Sequence, residues 1–311
     1  MDPRPLPVGA RTLVGLVALG SLTLTGCSST AISSAIVTTT STSEPVASQD
    51  ESSGAEDASG KEAEAVSPVP PLEPTTTTVP PLDREILEVP ALETAIPAIG
   101  TSSGAEAARL QQRLLDLGYW VQATDGEFGL TTRQAVMAFQ KYEGLTPTGS
   151  LDEVSAARIS EVDTRPFGRA QAGTMVEVDK AKQLLFVIEE GQTRWVLNTS
   201  TGSEIPYSEP NSNNPDILEE GDSVTPVGLH KVNREREEGW WEGDLGQIYR
   251  PKYFSGGVAV HGANSVPEYP ASHGCVRVSV PAMDWIWDEG LLPIGSLVWV
   301  HGDIPGTSNG A

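Results

Sequence analysis

From Ser28 to about Ser102 the chain is built of Ser, Thr, Pro, Ala and acid, with Pro68-Val69-Pro70-Pro71 and an unbroken run from Thr75 to Thr78. Such a stretch cannot bury enough apolar surface to offset the entropy of ordering it. It therefore confines any hydrophobic core to the C-terminal two thirds of the chain, and residues 28–103 are expected to be a disordered Ser/Thr/Pro/acidic linker. The Pro-rich half, Pro68 to Pro97, favours extended backbone of about 3 Å per residue, which suits a tether. The whole chain carries 42 acids against 20 lysines and arginines, a formal charge of -22. That balance, without a basic stripe, argues against a nucleic-acid partner.

Residues 1–27 have the layout of an export signal: Arg4 and Arg11, then an apolar stretch from Thr12 to Thr25, then Gly26-Cys27. The apolar run is short of the roughly 20 residues a bilayer span needs. Leu24-Thr25-Gly26-Cys27 resembles a bacterial lipobox, which implies lipidation at Cys27 and attachment to a membrane surface facing the periplasm or cell wall. Of the 2 cysteines in the chain, only Cys275 then remains as a free thiol, and no intramolecular disulfide is possible. A lone thiol in an oxidising compartment calls for a chemical reason.

Three short helices are expected next, each opening on a hydroxyl cap with an acid or amide three residues on: Ser103 with Glu106, Thr131 with Gln134, Ser150 with Glu153. Ala107, Leu110, Leu114 and Leu117 keep helical spacing, as do Ala135, Val136 and Phe139, so three apolar stripes can close one small bundle. Gly118 and Gly144 stand where helix ends call for a left-handed residue. The segments Leu110-Gln111-Gln112-Arg113-Leu114, Leu117-Gly118-Tyr119, Asp125-Gly126-Glu127-Phe128-Gly129 and Ala135-Val136-Met137-Ala138-Phe139-Gln140 resemble peptidoglycan-binding domain 1 over residues 104–160. The resemblance implies affinity for wall glycan or stem peptide, with a spacer role as the alternative.

Beyond Gly173 the pattern changes to strands, at Met175–Val178, Leu184–Ile188, Trp195–Leu197, Val258–Val260 and Leu297–Val300. One helix is expected among them, starting at Ser279 and Pro281, carrying Met283, Trp285, Ile286 and Trp287, and ending at Gly290. The reading is a multi-domain chain, with a mostly β domain over 172–301 and a flexible tail over 302–311.

The stretch richest in chemistry is Val260-His261-Gly262 followed by Tyr269-Pro270-Ala271-Ser272-His273-Gly274-Cys275-Val276-Arg277. A cysteine nucleophile needs a base to take its proton, and a histidine can both accept that proton and return it. His261 lies 14 positions before Cys275, so only a folded loop brings the two together. Gly274 permits close approach of a substrate, and the amides around His273, Gly274 and Cys275 are candidates for an oxyanion site. The structural alternative, an inert buried cysteine, suits this setting poorly.

The upstream His-Gly, the Ser-His-Gly-Cys and the polar residue two positions later resemble the YkuD-type L,D-transpeptidase catalytic domain. Its likeness extends to Thr201-Gly202 and Thr225-Pro226-Val227-Gly228. The resemblance implies a β-sandwich with Cys275 as nucleophile and His261 as base. Ser272, His273 and Gly274 would shape the oxyanion loop, and Arg277 would orient substrate. It further implies a thioester formed on a peptidoglycan tetrapeptide stem with release of D-alanine, then transfer to a neighbouring stem. Transfer to water, an L,D-carboxypeptidase activity, is the alternative, and a non-catalytic wall anchor is another. Carbapenem-type inhibitors are expected to acylate the thiol.

His230 and His301 lack such neighbours and read as structural. Trp240 and Trp241, among Glu235, Glu237, Glu238 and Glu242, are expected in an irregular segment that controls substrate access. The histidines and cysteine have no metal-ligand spacing and there is no phosphate loop, so neither metal nor cofactor is expected.

Overall fold

The computed structural model describes residues 85–305; the expected signal segment with Cys27, the chain up to residue 84, and residues 306–311 lie outside them. Helices α1 (Ala105–Asp116), α2 (Leu130–Tyr142) and α3 (Glu153–Glu161) form the bundle. The expected hydroxyl caps do not form. Gly104 and Gly129 occupy the first two N-cap positions without a side-chain bond, and Asp152, not Ser150, caps α3 by accepting from the Ser155 amide. Ser103 serves a different purpose, its Oγ accepting from the Phe128 amide at 2.9 Å. The helix ends agree with the sequence. The Gly118 and Tyr119 amides donate to Leu115 and Leu114 carbonyls, and Gly144 and Leu145 repeat the pattern on Lys141 and Gln140.

Two buried glutamines explain why the bundle motifs need amides. Gln111 Nε2 donates to Glu127 O and Thr132 Oγ1 while its Oε1 accepts from Gly126, fixing the 125–129 loop. Gln140 does the same for Gly149 and Ser150. Each satisfies backbone groups that would otherwise be buried unpaired, at about 1–3 kcal/mol apiece.

The linker reading extends too far. Residues 85–103 pack on the bundle, with Ile96 only 2% exposed and Val89, Leu92 and Ile99 against the same core. The guanidinium of Arg113 donates to the carbonyls of Pro90, Ile159 and Val162, joining this segment to the end of α3. Scattered apolar residues at 86, 87, 89, 92, 96 and 99 lack helical or strand period, which is why composition alone hid them.

Twelve strands complete the described chain: β1 (Met175–Asp179), β2 (Leu184–Glu189), β3 (Gln192–Asn198), β4 (Tyr207–Pro210), β5 (Leu218–Gly221), β6 (Gly228–Lys231), β7 (Arg234–Glu235), β8 (Trp240–Gly243), β9 (Gly246–Ser255), β10 (Val258–Ala263), β11 (Val276–Ser279) and β12 (Leu297–His301). One sheet has the order β3-β2-β1-β12-β6; the other runs β11-β10-β9-β7, with β8 also paired to β9; β4 and β5 form a separate hairpin. Strand β2 explains the architecture. Leu185 and Val187 join the core between the sheets, whereas Leu184, Phe186 and Ile188 join the core under the bundle. Both faces are buried, so five consecutive apolar residues are needed, and each contributes about 1.5–3 kcal/mol by leaving water. The bundle thus shares a core with the sheet, and the Val196 amide in β3 donates to Gly118 while Trp120 donates back to Val196.

Helix α4 (Val280–Asp288) starts on the Ser279 side-chain cap and packs Ala282, Met283 and Ile286 into the inter-sheet core. Trp240 and Trp241 lie in β8 of the β8–β9 hairpin, not in an irregular segment. The tail starts later than expected, since Ile304 is 5% exposed. Among the described residues no helix is long and apolar enough to cross a membrane.

Candidate active site

Parallel pairing of β10 and β11 sets His261 opposite Arg277 and Val260 opposite Val276. Side chains alternate along a strand, so Cys275 and Arg277 leave β11 on one face while Val276 and Val278 enter the core. His261, Ser272, His273, Cys275 and Arg277 line one cavity of about 520 Å³, which the β4–β5 and β8–β9 hairpins border with Tyr207, Glu219, Glu242 and Asp244.

The loop before Cys275 is held by its own hydroxyl and by the 199–203 segment. Ser272 Oγ donates to the Cys275 carbonyl at 2.5 Å and accepts from the Gly274 amide at 3.1 Å. The Gly274 amide is therefore already occupied, and of the three expected oxyanion donors those of His273 and Cys275 remain. Ala271 and Ser272 amides donate to Thr201 O, and Thr225 Oγ1 donates to Gly274 O at 2.7 Å. Gly274 has φ +130°, and a Cβ there would meet Val224 O at 2.8 Å; at Gly202 it would meet Ser223 O at 1.9 Å. Both positions admit only glycine.

His261 is 3% exposed, with Nδ1 at 2.8 Å from Gly262 O. That contact makes Nδ1 the donor and leaves Nε2 as the basic nitrogen. Burial, assisted by the positive Arg277 and opposed by the Gly262 carbonyl, pulls His261 down to about 4. Burial pushes the Cys275 thiol up, against the Ala259 amide and Arg277, which favour the thiolate. At neutral pH a neutral imidazole therefore shares the cavity with a thiol whose ionisation burial disfavours.

Three guanidiniums that line the cavity, Arg234, Arg236 and Arg277, form no ion pair among the described residues. Arg234 lies over Tyr253 at 3.9 Å and Arg236 over Trp241 at 3.6 Å. The Nε of Arg236 is buried without a partner. Sequence reasoning missed this pair, although Arg234-Glu235-Arg236 places both arginines on one face of a strand. His273 is braced by Tyr207, 4.6 Å between ring centres, and by Glu209 at 3.4 Å. Trp241 lines the cavity; Trp240 packs on Tyr249 instead.

His230 and His301 stay outside the cavity. His230 Nε2 is 3.0 Å from Pro226 O, and His301 Nε2 is 2.7 Å from the fully buried Glu177 carboxylate. Among the described residues no group of three His, Cys, Asp or Glu is arranged to hold a metal ion.

Fold and site together define a β-sandwich with a cysteine–histidine cavity, backed by a helical bundle. The L,D-transpeptidase catalytic domain model (YkuD) matches residues 173–300, and a peptidoglycan binding domain model matches residues 103–158. A crystal structure of an L,D-transpeptidase (residues 123–326) from Xylanimonas cellulosilytica DSM 15894 is 41% identical, covering 69% of this chain and 100% of that one, with a TM-score of 0.59. One from Stackebrandtia nassauensis is 22% identical over 69% of this chain and 100% of that one, with a TM-score of 0.38. Among curated proteins, the N-acetylmuramoyl-L-alanine amidase CwlM of Mycobacterium tuberculosis is 46% identical over 46 residues, 15% of this chain and 11% of that protein. The chain thus spans only about a tenth of that relative's length. The chain belongs to the YkuD-type L,D-transpeptidase family, and it carries a peptidoglycan-binding domain ahead of the catalytic one.

Proposed function

We propose that the chain is a cysteine-dependent L,D-transpeptidase acting on peptidoglycan tetrapeptide stems, held at a membrane surface through lipidated Cys27. The observation that carries the mechanism is the tautomer of His261, whose Nδ1–H is committed to Gly262 O while Nε2 is free to accept. As Cys275 Sγ attacks the carbonyl of the third stem residue, Nε2 takes the thiol proton and the carbonyl oxygen becomes an oxyanion at the His273 and Cys275 amides. Collapse breaks the peptide bond, and Nε2 delivers the proton to the departing amine of D-alanine, leaving a thioester on Cys275. In the second half an acceptor amine attacks the thioester, its proton passes to Nε2, and the thiol leaves with that proton. Arg277 holds the donor stem in place.

The cavity border favours an amine over water as acceptor. Glu219, Glu242 and Asp244 come from the two hairpins at the rim and offset Arg234, Arg236 and Arg277 on the same cavity, so carboxylates are at hand to receive a cationic acceptor amine. The side-chain amine of a neighbouring third residue fits, and a cross-link between third residues results. A purely anchoring protein has no use for a cavity in which an unpaired guanidinium faces a thiol and a buried neutral imidazole.

The test is incubation of the chain, wild type and Cys275→Ala, with a disaccharide tetrapeptide, followed by mass spectrometry. A dimer lacking one D-alanine, formed only with Cys275 present, is expected; tripeptide alone would move the reading to a carboxypeptidase. A carbapenem is expected to leave a covalent adduct on the wild type and none on Cys275→Ala.

A further inference from the structure

Away from the catalytic cavity, the seam between bundle and sandwich opens a second cavity of about 370 Å³. Its walls are three tryptophans from three elements: Trp120 after α1, Trp195 in β3 and Trp285 in α4. The rings of Trp120 and Trp285 lie 5.3 Å apart at 35°, and Trp195 stands edge-on to Trp285 at 6.0 Å and 82°. Trp195 and Trp285 remain half-buried. None of the three indole N–H groups has an acceptor among the described residues, whereas that of Trp287 donates to Arg250 O at 2.9 Å.

The rim is equally selective. Asp288, Glu289 and Gln122 border the opening, and no Lys or Arg lines it. Asp288 and Glu289 sit at the C-terminal end of α4, whose last turn has no basic residue. Carboxylates at that negative end oppose the helix dipole by about 0.3–1 kcal/mol each. A local conflict of this kind, with no stabilising partner, is the mark of a residue kept for a task other than folding.

We propose that this seam is an exosite for an uncharged, N-acetylated saccharide strand. Flat indole faces cover the apolar faces of pyranose rings, the free indole N–H groups donate to acetamido or hydroxyl oxygens, and Asp288, Glu289 and Gln122 accept from sugar hydroxyls. The acidic rim repels phosphate-rich polymers. Trp120 and Trp285, tilted side by side, form a platform rather than a cage closed round a point charge, which distinguishes the site from an ammonium box. The catalytic reading enters only in the choice of sugar, because an enzyme of peptidoglycan works among N-acetylhexosamine strands. Failure of the exosite leaves transfer by Cys275 untouched.

The experiment uses the full chain and tetra-N-acetylchitotetraose, a soluble saccharide without peptide. Oxidative footprinting read residue by residue is expected to show protection of Trp195 and Trp285 on adding the sugar, with Trp240 and Trp241 unchanged. Trp195→Ala is expected to weaken binding by about tenfold, the loss of one good ring contact, and Trp195→Phe to stay within about threefold, each with its melting temperature recorded. Four results overturn the proposal: no protection, protection confined to Trp241, displacement of the sugar by tetramethylammonium, or Trp195 and Trp285 already shielded by another part of the chain. Equal affinity in a folded Trp195→Ala variant does so too; should that variant not fold, the wild-type footprint decides.

Discussion

His261 and His301 are withdrawn from water almost equally, at 3% and 7% exposure, and the protein surrounds them differently. His301 meets a carboxylate: its Nε2 is 2.7 Å from Glu177, which also accepts from the Arg169 and Ala170 amides, and its Nδ1 is 3.4 Å from Arg169. Every polar atom there is spoken for, and the cluster ties the 163–172 connection to β1 and β12. His261 meets one carbonyl, that of Gly262, and lines the cavity it shares with Cys275 and Arg277. A buried imidazole given a full set of partners fixes the fold. One left with a vacant basic nitrogen is available for proton transfer, and its low affinity for protons at rest comes from burial, with the positive Arg277 adding to it.

The contrast breaks most visibly on substitution. His261→Ala is expected to slow acylation of Cys275 by a carbapenem by about 10²–10⁴-fold, followed by mass spectrometry over time, with little change in melting. His301→Ala should do the reverse, costing about 3–5 kcal/mol in a urea titration by stripping a buried charge of its partner, while the folded fraction still acylates. If both variants lose the same property, the distinction fails.

Acid sharpens the comparison. Burial raises the Glu177 carboxyl, but the bond to His301 and the Arg169 and Ala170 amides outweigh it and hold it below the usual range. Its stabilisation is therefore present above about pH 4.3, the ordinary glutamate value, and is lost as pH falls through the depressed folded value. Glu177→Gln should flatten that part of the stability curve. His261, held to about 4 when folded against about 6.5 unfolded, favours the folded state fully above about pH 6.5, and that favour erodes on descent toward 4. The same value sets the acid limb of acylation near pH 4, measured as rate against pH; a limb near 6.5 would mean the imidazole is not desolvated in solution.

The smallest effect separates two adjacent tryptophans. Trp241→Ala, in the cavity wall against Arg236, is expected to raise the KM for a tetrapeptide donor several-fold, whereas Trp240→Ala, packed on Tyr249 outside the cavity, should leave it unchanged.

The shared cavity of these residues was legible because they are local in sequence and chemically unusual: Ser272 to Arg277 is one short stretch, and a parallel strand pair brings His261 alongside it. Leu184 to Ile188 was legible as a strand, whereas the burial of both its faces came only with the structure. What the sequence concealed depends on pairing between distant segments. Strands β4 to β9 are rich in charge and glycine, so Arg234, Arg236 and Tyr253 reach the cavity through a register no local pattern encodes. The caps failed for a related reason. Ser103, Thr131 and Ser150 each had the right neighbour three residues on, but glycine or Asp152 took the cap, and Ser103 was drawn to Phe128 in the loop opposite. The packed stretch from residue 85 was masked by its proline content, since Arg113, which binds its carbonyls, lies in another element.

The shared core under β2 has a mechanical meaning. Bundle and sandwich are welded along Leu184, Phe186, Ile188 and Val196, and Arg113 clamps the segment entering at residues 85–100 to the same block. Among the described residues the aromatic seam and the thiol therefore stand on one continuously packed block. Whatever the seam grips is thereby indexed against the cavity, and the register between a held strand and a reacting stem is set when the protein folds rather than at each turnover.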